Sequence, residues 1–199
     1  MQVQKRNGSV EKYNVEKIHK VVEWAIKDIN NVSWSDIEMN AKLSLKDGIA
    51  TQEIHQILVK SANDLTSPAK PNYQYVASRL LNMSLRKDLW EKYNSPPSLS
   101  EHIKANIEKG IYDPALFEKW SKEDIKEIES CIDHDRDYLY TYAGLQQMID
   151  KYLVKNRATG EMYETPQFAY MAIAMALFNV VDEVKDAYEC FSTFKINLP

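Results

Sequence analysis

Lys5, Arg6 and Lys17 are cations whose spacing could hold an anion. Lys5-Arg6 stands directly before Asn7-Gly8. Val10-Glu11-Lys12 follows, and Asn14 opens an amphipathic stretch with Ile18, Val21, Val22, Ala25 and Ile26 on one face. Asn-Gly tolerates positive φ at both central positions, so the pattern predicts a type I′ hairpin. The Asn14 side chain can cap the free N–H groups of the next helix, predicted to run to about Ile29. Cations there oppose the helix dipole unless an anion sits between them and the N-terminus. Two readings follow: a solvated basic hairpin on a small helical domain, or a phosphate cradle. Physics alone ranks the solvated hairpin first, because Asn-Gly hairpins are common.

Other residues suggest further chemistry. Thr51 is predicted to cap a third helix with His55 one turn in, and Arg86 and Lys87 lie on a long fourth helix. Packed as a bundle, these could form a polyphosphate pocket. Asp133-His134-Asp135-Arg136-Asp137 is the densest ionisable group. A His between carboxylates can act as a base or metal ligand, but without a second His or a Gly-rich loop nearby it reads as a salt-bridged helix–loop junction. Cys131 and Cys190 stand alone, which argues against a zinc site and a disulfide scaffold; Cys190 reads as a small core residue. Neither a Walker A loop nor a Rossmann fingerprint is present.

The elements that must position these residues are mostly helical. Five glycines among 199 residues, and many helix formers, predict a mainly α chain. Ser35-Asp36-Ile37-Glu38 reads as a capping box opening a helix to about Leu45. The long fourth helix is predicted from about Asn72 to Tyr93. Ser95-Pro96-Pro97-Ser98 then marks a boundary between two parts. In the second part helices are predicted from Ser100 to Lys109, after Asp113-Pro114, from Ser121 to about Ile132, from Tyr142 to Tyr152, from Thr165-Pro166 to about Phe178, and from Glu183 to Thr193. A hairpin pairs Leu153-Val154-Lys155 with Glu161-Met162-Tyr163. The last residues, 195–199, read as a strand just starting, either a frayed tail or the front portion of a longer protein.

The net charge of −4 offers no electrostatic surface for nucleic acid. The polar N-terminus predicts no signal peptide. The longest apolar run, 168–181, is interrupted by Asn179 and too short to span a bilayer.

Lys5-Arg6-Asn7-Gly8-Ser9 with Glu11, Asn14 and Lys17-Ile18-His19, then Asp47-Gly48-Ile49, Thr51 and Ile54-His55, resembles the ATP-cone. This is the allosteric domain at the N-terminus of many ribonucleotide reductase large subunits. Segments 72–80, 132–137, 151–157, 159–161 and 192–199 are similar to the large subunit of class I ribonucleoside-diphosphate reductase. The resemblance therefore covers essentially the whole chain.

The resemblance implies a mainly α fold: an ATP-cone over residues 1–94, a β-hairpin over a helical bundle, then the helical N-terminal region of the large subunit over 95–199. The family's catalytic α/β barrel, its redox and radical cysteines and its specificity site are expected beyond this chain. Cys131 and Cys190 do not correspond to those cysteines, and no catalytic residue is assigned. The family reduces ribonucleoside diphosphates through a thiyl radical generated by a small partner subunit. The implied effector is ATP or dATP with Mg, and no structural metal is implied. Its ligands fall on Lys5, Glu11, Lys12, Tyr13, Asn14, Val15, Glu16, Lys17, Thr51 and Lys87, with Arg6, Ile18 and His55 beside them. Where dATP-inhibited relatives often carry Phe-His on the fourth helix, this chain has Met83-Ser84, which removes ring surface and a donor. Expected partners are the remainder of the large subunit if it is split, the small subunit, and further copies in an oligomer. No nucleic acid or membrane is expected, and the expected location is the cytoplasm. Alone, the chain is expected to be inactive and, with apolar surface on its second half, poorly soluble. A stand-alone nucleotide-binding regulator and a decayed fragment are the rival readings.

Overall fold

A computed structural model describes residues 1–90 and 92–196. They form two compact units, the first from Met1–Ser84 and Tyr138–Gln147, the second from Leu85–Asp137 and the described residues from Met148 onward.

In the first unit β1 (Gln2–Gln4) pairs antiparallel with β2 (Val10–Lys12), Val3 opposite Glu11. The connecting turn differs from the expected type I′. Gly8 takes φ 81° while Asn7 stays at negative φ. Lys5 N donates to Ser9 O at 2.8 Å and Gly8 N to Lys5 O at 2.9 Å. This is a three-residue loop in which a turn ends on a left-handed glycine, the next most common hairpin connection. The Asn7 side chain selects it, accepting from Ser9 N at 3.1 Å and Ser9 Oγ at 2.7 Å. An unpredicted strand, β3 (Ile49–Ala50), lies parallel to β1 with Ile49 opposite Val3. Two residues carry no periodicity, so no pattern announces it.

Helices α1 (Val15–Ile26) and α2 (Trp34–Lys42) lie between β2 and β3 in the chain, and α3 (Thr51–Asp64) and α4 (Tyr73–Leu89) follow β3. Asn14 caps α1 as expected, its Oδ1 accepting from Glu16 N at 2.8 Å. That helix stops three residues early because Asp28 is left-handed, φ 61°, and Arg79 Nη1 takes up Lys27 O at 2.5 Å. The capping box expected at Ser35 does not form. Ser33 is the N-cap, its Oγ 2.7 Å from Ser35 Oγ, and Glu38 faces His19 instead. Nor does Thr51 cap α3: Ala50 holds that position, and Thr51 is the first helical residue. The core gathers Val22, Ile37, Leu58, Ala62, Tyr73, Val76 and Leu80, with Tyr142 of α8 (Tyr142–Gln147) packed against it.

The second unit holds α5 (Leu99–Glu108), α6 (Ala115–Glu118), α7 (Lys122–Glu129), α9 (Pro166–Leu177) and α10 (Val181–Ser192). A 3-10 turn covers His134–Leu139, and a π-helical turn covers Met148–Tyr152. Gly110 follows α5 at φ 70°, as its C-terminal position requires. Helix α9 is buried along most of its length, as its apolar sequence predicts. The expected hairpin around Gly160 shrinks to one bridge, Lys155 with Met162. Cys190 is half-buried rather than core. Phe194 turns left-handed, φ 59°, and Lys195 N returns to Cys190 O at 2.9 Å. Lys195 and Ile196 therefore close α10 instead of starting a strand, and the rest of that predicted strand, 197–199, lies outside the described residues.

Helices α5 and α7 begin with complete capping boxes, Ser98 with Glu101 and Ser121 with Asp124. Each of Ser98→Ala and Ser121→Ala is expected to destabilise the chain by about 1 kcal/mol, read as a lower thermal midpoint by circular dichroism. An unchanged midpoint would show that the cap contributes nothing.

Candidate nucleotide site

Lys5 immediately follows β1, Glu11 is the middle residue of β2, and Lys17 is the third residue of α1. The hairpin and the turn into α1 bring the three together. Lys5 Nζ lies 2.8 Å from Glu11 Oε2. Lys17 Nζ lies 2.9 Å from Oε1 and 3.0 Å from Oε2. Hydrogen bonds from Lys5 and then Lys17 hold the Glu11 carboxyl below the usual carboxylate range. All three side chains remain accessible, so solvent screens the cluster and its groups are free to re-pair.

The other expected residues divide by place. Tyr13 N continues the sheet by donating to Met1 O at 3.0 Å, and Ile18 packs on the core. Lys12, Val15 and Glu16 are exposed. Arg6, in the loop, reaches α4, its Nη2 donating to Ser84 Oγ at 3.4 Å. His55 is buried, and its Nε2 lies 2.7 Å from Leu80 O. A carbonyl can only accept, so that nitrogen carries the proton and ties α3 to α4. Met83 is buried as well. Lys87 belongs to the second unit, where its Nζ stands 5.9 Å from the Tyr93 ring centroid.

A cavity of about 470 Å³ opens in the first unit, lined by Tyr13, Val15, Ile18, Trp34, Glu38 and Leu45 among others. Trp34, Glu38 and Leu45 were not legible as site residues. Beside the cavity His19 sets both ring nitrogens on carboxylates, Nδ1 2.9 Å from Glu38 and Nε2 3.1 Å from Glu23, and meets the Trp34 ring edge-on at 4.6 Å. Glu38, with Glu23, raises the His19 pKa. The His19–Glu23 spacing of four residues is a visible helical pair; Glu38 comes from another helix and has no local signal.

The polar run 133–137 behaves as a junction. Arg136 pairs with Glu189 at 2.7 Å and with Asp133 at 3.6 Å, while Asp137 is buried against Arg86 at 3.0 Å. Among the described residues no group of three His, Cys, Asp or Glu side chains could hold a metal ion.

Two family models match the chain. Residues 1–88 match the ATP cone domain, and residues 138–199 match the ribonucleotide reductase all-alpha domain. The chain is 43% identical to ribonucleoside-diphosphate reductase 1 subunit alpha of Escherichia coli over 99% of its length. The chain carries an ATP cone domain followed by a ribonucleotide reductase all-alpha domain. It is also 40% identical to the alpha subunit of Haemophilus influenzae over 100% of its length, and 42% identical to that of Enterobacteria phage T4 over 98%. It spans about a quarter of these relatives, 26% of the Escherichia coli and phage subunits and 27% of the Haemophilus one. The mainly helical architecture with a small three-stranded sheet is the one the reductase resemblance implies. No described helix is long and apolar enough to cross a membrane.

Proposed function

We propose that this chain works as the regulatory N-terminal part of a ribonucleoside-diphosphate reductase large subunit, with ATP or dATP and Mg²⁺ as the ligand of its cone. Residues 1–94 form the cone, and 95–199 belong to the helical region of the subunit. The observation that carries the reading is the convergence of Lys5 and Lys17 beside the Asn14-capped start of α1, next to a cavity lined by Tyr13, Val15 and Ile18. The ammonium groups and the helix N-terminus suit phosphates. The apolar cavity suits a base. Thr51 adds a hydroxyl at the start of α3, and Lys87 is carried over from the reductase pattern.

In this reading the chain acts with the rest of a large subunit, on the same or a separate polypeptide, and with the radical-generating small subunit in the cytoplasm. The assembly is an oligomer. Met83 is buried and Ser84 takes the Arg6 contact, so α4 offers neither the ring nor the histidine of dATP-inhibited relatives. The cone then binds ATP without strong dATP inhibition.

Calorimetric titration with ATP and dATP tests this. Lys5→Ala and Lys17→Ala are each expected to weaken ATP binding by about tenfold, the loss of one charge-assisted contact, and Lys87→Ala is measured beside them. No heat with either nucleotide in the unmodified chain would refute nucleotide binding.

A further inference from the structure

The carboxylate of Glu11 occupies the space between the two ammonium groups that the proposed function assigns to phosphate. Each lysine has a carboxylate oxygen within 2.8–2.9 Å. Glu11 thus supplies the anion that a site of two lysines at a helix N-terminus calls for. A phosphate approaching the same donors meets a cluster of net charge +1, where the lysines alone would present +2. Glu11 is exposed enough to rotate away, at 28% side-chain accessibility, and the lysines at 42% and 60% can follow an incoming ligand.

We propose that Glu11 is a built-in competitor: its carboxylate fills the phosphate position of the free cone and must be displaced when a nucleotide binds. The proposal rests on the nucleotide reading above and adds a threshold to it. A ligand with several phosphate charges can outbid one carboxylate, whereas a singly phosphorylated one is at a disadvantage. The cone is thereby biased toward triphosphates before any contact with the base.

The test is calorimetric titration of the full chain in buffer with Mg²⁺ in excess at fixed ionic strength. The probes are inorganic tripolyphosphate, which has no base, and ATP. Glu11→Gln keeps the side-chain size and removes the charge. Glu11→Asp keeps the charge and shortens the arm, so one carboxylate no longer reaches both lysines. Glu11→Gln is expected to bind tripolyphosphate about three to ten times more tightly, the scale of losing one or two exposed ion pairs, and Glu11→Asp is expected to tighten it by a smaller factor. Thermal melts matching the unmodified chain verify that both variants fold. If Glu11→Gln weakens or leaves unchanged the binding of both probes while the unmodified chain still binds ATP, Glu11 is a ligand or a bystander, and the competitor is refuted with the nucleotide reading intact. If Glu11→Gln tightens binding and Glu11→Asp does not, net charge acts without bridging, and the proposal is also refuted. If no form binds either probe, the nucleotide reading itself fails.

Discussion

Replacing Asp137 by alanine is expected to destabilise the second unit by about 3–5 kcal/mol, the usual consequence of leaving one member of a buried ion pair without its partner. Asp137 is 0% exposed and Arg86 3%. The guanidinium donates to Asp137 Oδ2 at 3.0 Å and also to the His134 carbonyl. The other carboxylate oxygen accepts from Gln167 Nε2 at 2.9 Å; Gln167 Oε1 accepts from Tyr188 OH at 2.7 Å, and that hydroxyl accepts from Asp133 N at 2.9 Å. One carboxylate therefore orders α4, the 3-10 turn, α9 and α10 within this unit. Alanine removes it and strands a charge that cannot be deprotonated. Urea unfolding followed by near-ultraviolet circular dichroism reads the loss. Asp137→Asn, which keeps an acceptor for Arg86, is expected to lose less. The double change Arg86→Met with Asp137→Leu is expected to recover much of the stability, since neither charge is then buried. A loss below about 1 kcal/mol for Asp137→Ala would show that the pair is hydrated in solution.

This network also shows what sequence can and cannot disclose. The run 133–137 was legible as a salt-bridged junction, because five consecutive polar residues between helical segments have few other uses. The identity of the partners was not: Arg86 lies 51 residues from Asp137 and Gln167 lies 30 away, and no local pattern links them. The same division holds at the proposed nucleotide site. The hairpin, the Asn14 cap and the clustering of Lys5 with Lys17 follow from short-range chemistry. The loop type does not, because the Asn7 side chain chooses between two geometries that Asn-Gly permits equally. Thr51 was misplaced by one position because β3 runs directly into α3, so Ala50 takes the capping place that Thr51's own chemistry suits. Trp34 and Glu38 reach the cavity only through the packing of α2 on α1, a tertiary fact. The reductase resemblance supplied what periodicity could not, the ligand proposed for this site.

Acidification is expected to destabilise the second unit between pH 6.5 and 4.5, before its lowered carboxylates titrate. His102 and His134 flank the Phe168 ring, His102 stacked on it at 4.0 Å and His134 edge-on at 4.8 Å. Burial pushes His102 down from 6.5 to about 4, with the His134 charge adding to it. Burial and then the Arg86 charge push His134 to about 4, with Asp133 opposing. Hydrogen bonding agrees for His102: its Nε2 stands 3.2 Å from Asn106 Nδ2, a donor only, so that nitrogen accepts and cannot take a proton without losing the bond. Both folded values lie below the unfolded one, so in this window the unfolded chain binds more protons. The stabilisation is full above 6.5 and is lost as pH falls toward 4, roughly 3 kcal/mol for each histidine. Glu164 has the opposite sign. Burial raises its carboxyl pKa, so its contribution is present below the ordinary value and lost as pH rises through the raised one. The half-buried His19 of the first unit, raised by Glu38, likewise loses its contribution only above 6.5. Glu189 and the other lowered carboxylates act below about 4.5. In a Glu164→Gln variant, which removes this opposing carboxylate, the interval from 6.5 to 4.5 isolates the two buried histidines. Urea unfolding of that variant at a series of pH values is expected to show stability falling through the interval with a slope approaching two protons; the unmodified chain is expected to fall less steeply, and adding His102→Gln to the variant is expected to reduce its slope to about one. A flat profile there would mean that both rings are hydrated in the folded chain. Stability that instead rose on acidification would reverse the sign and assign the histidines a charged, paired state.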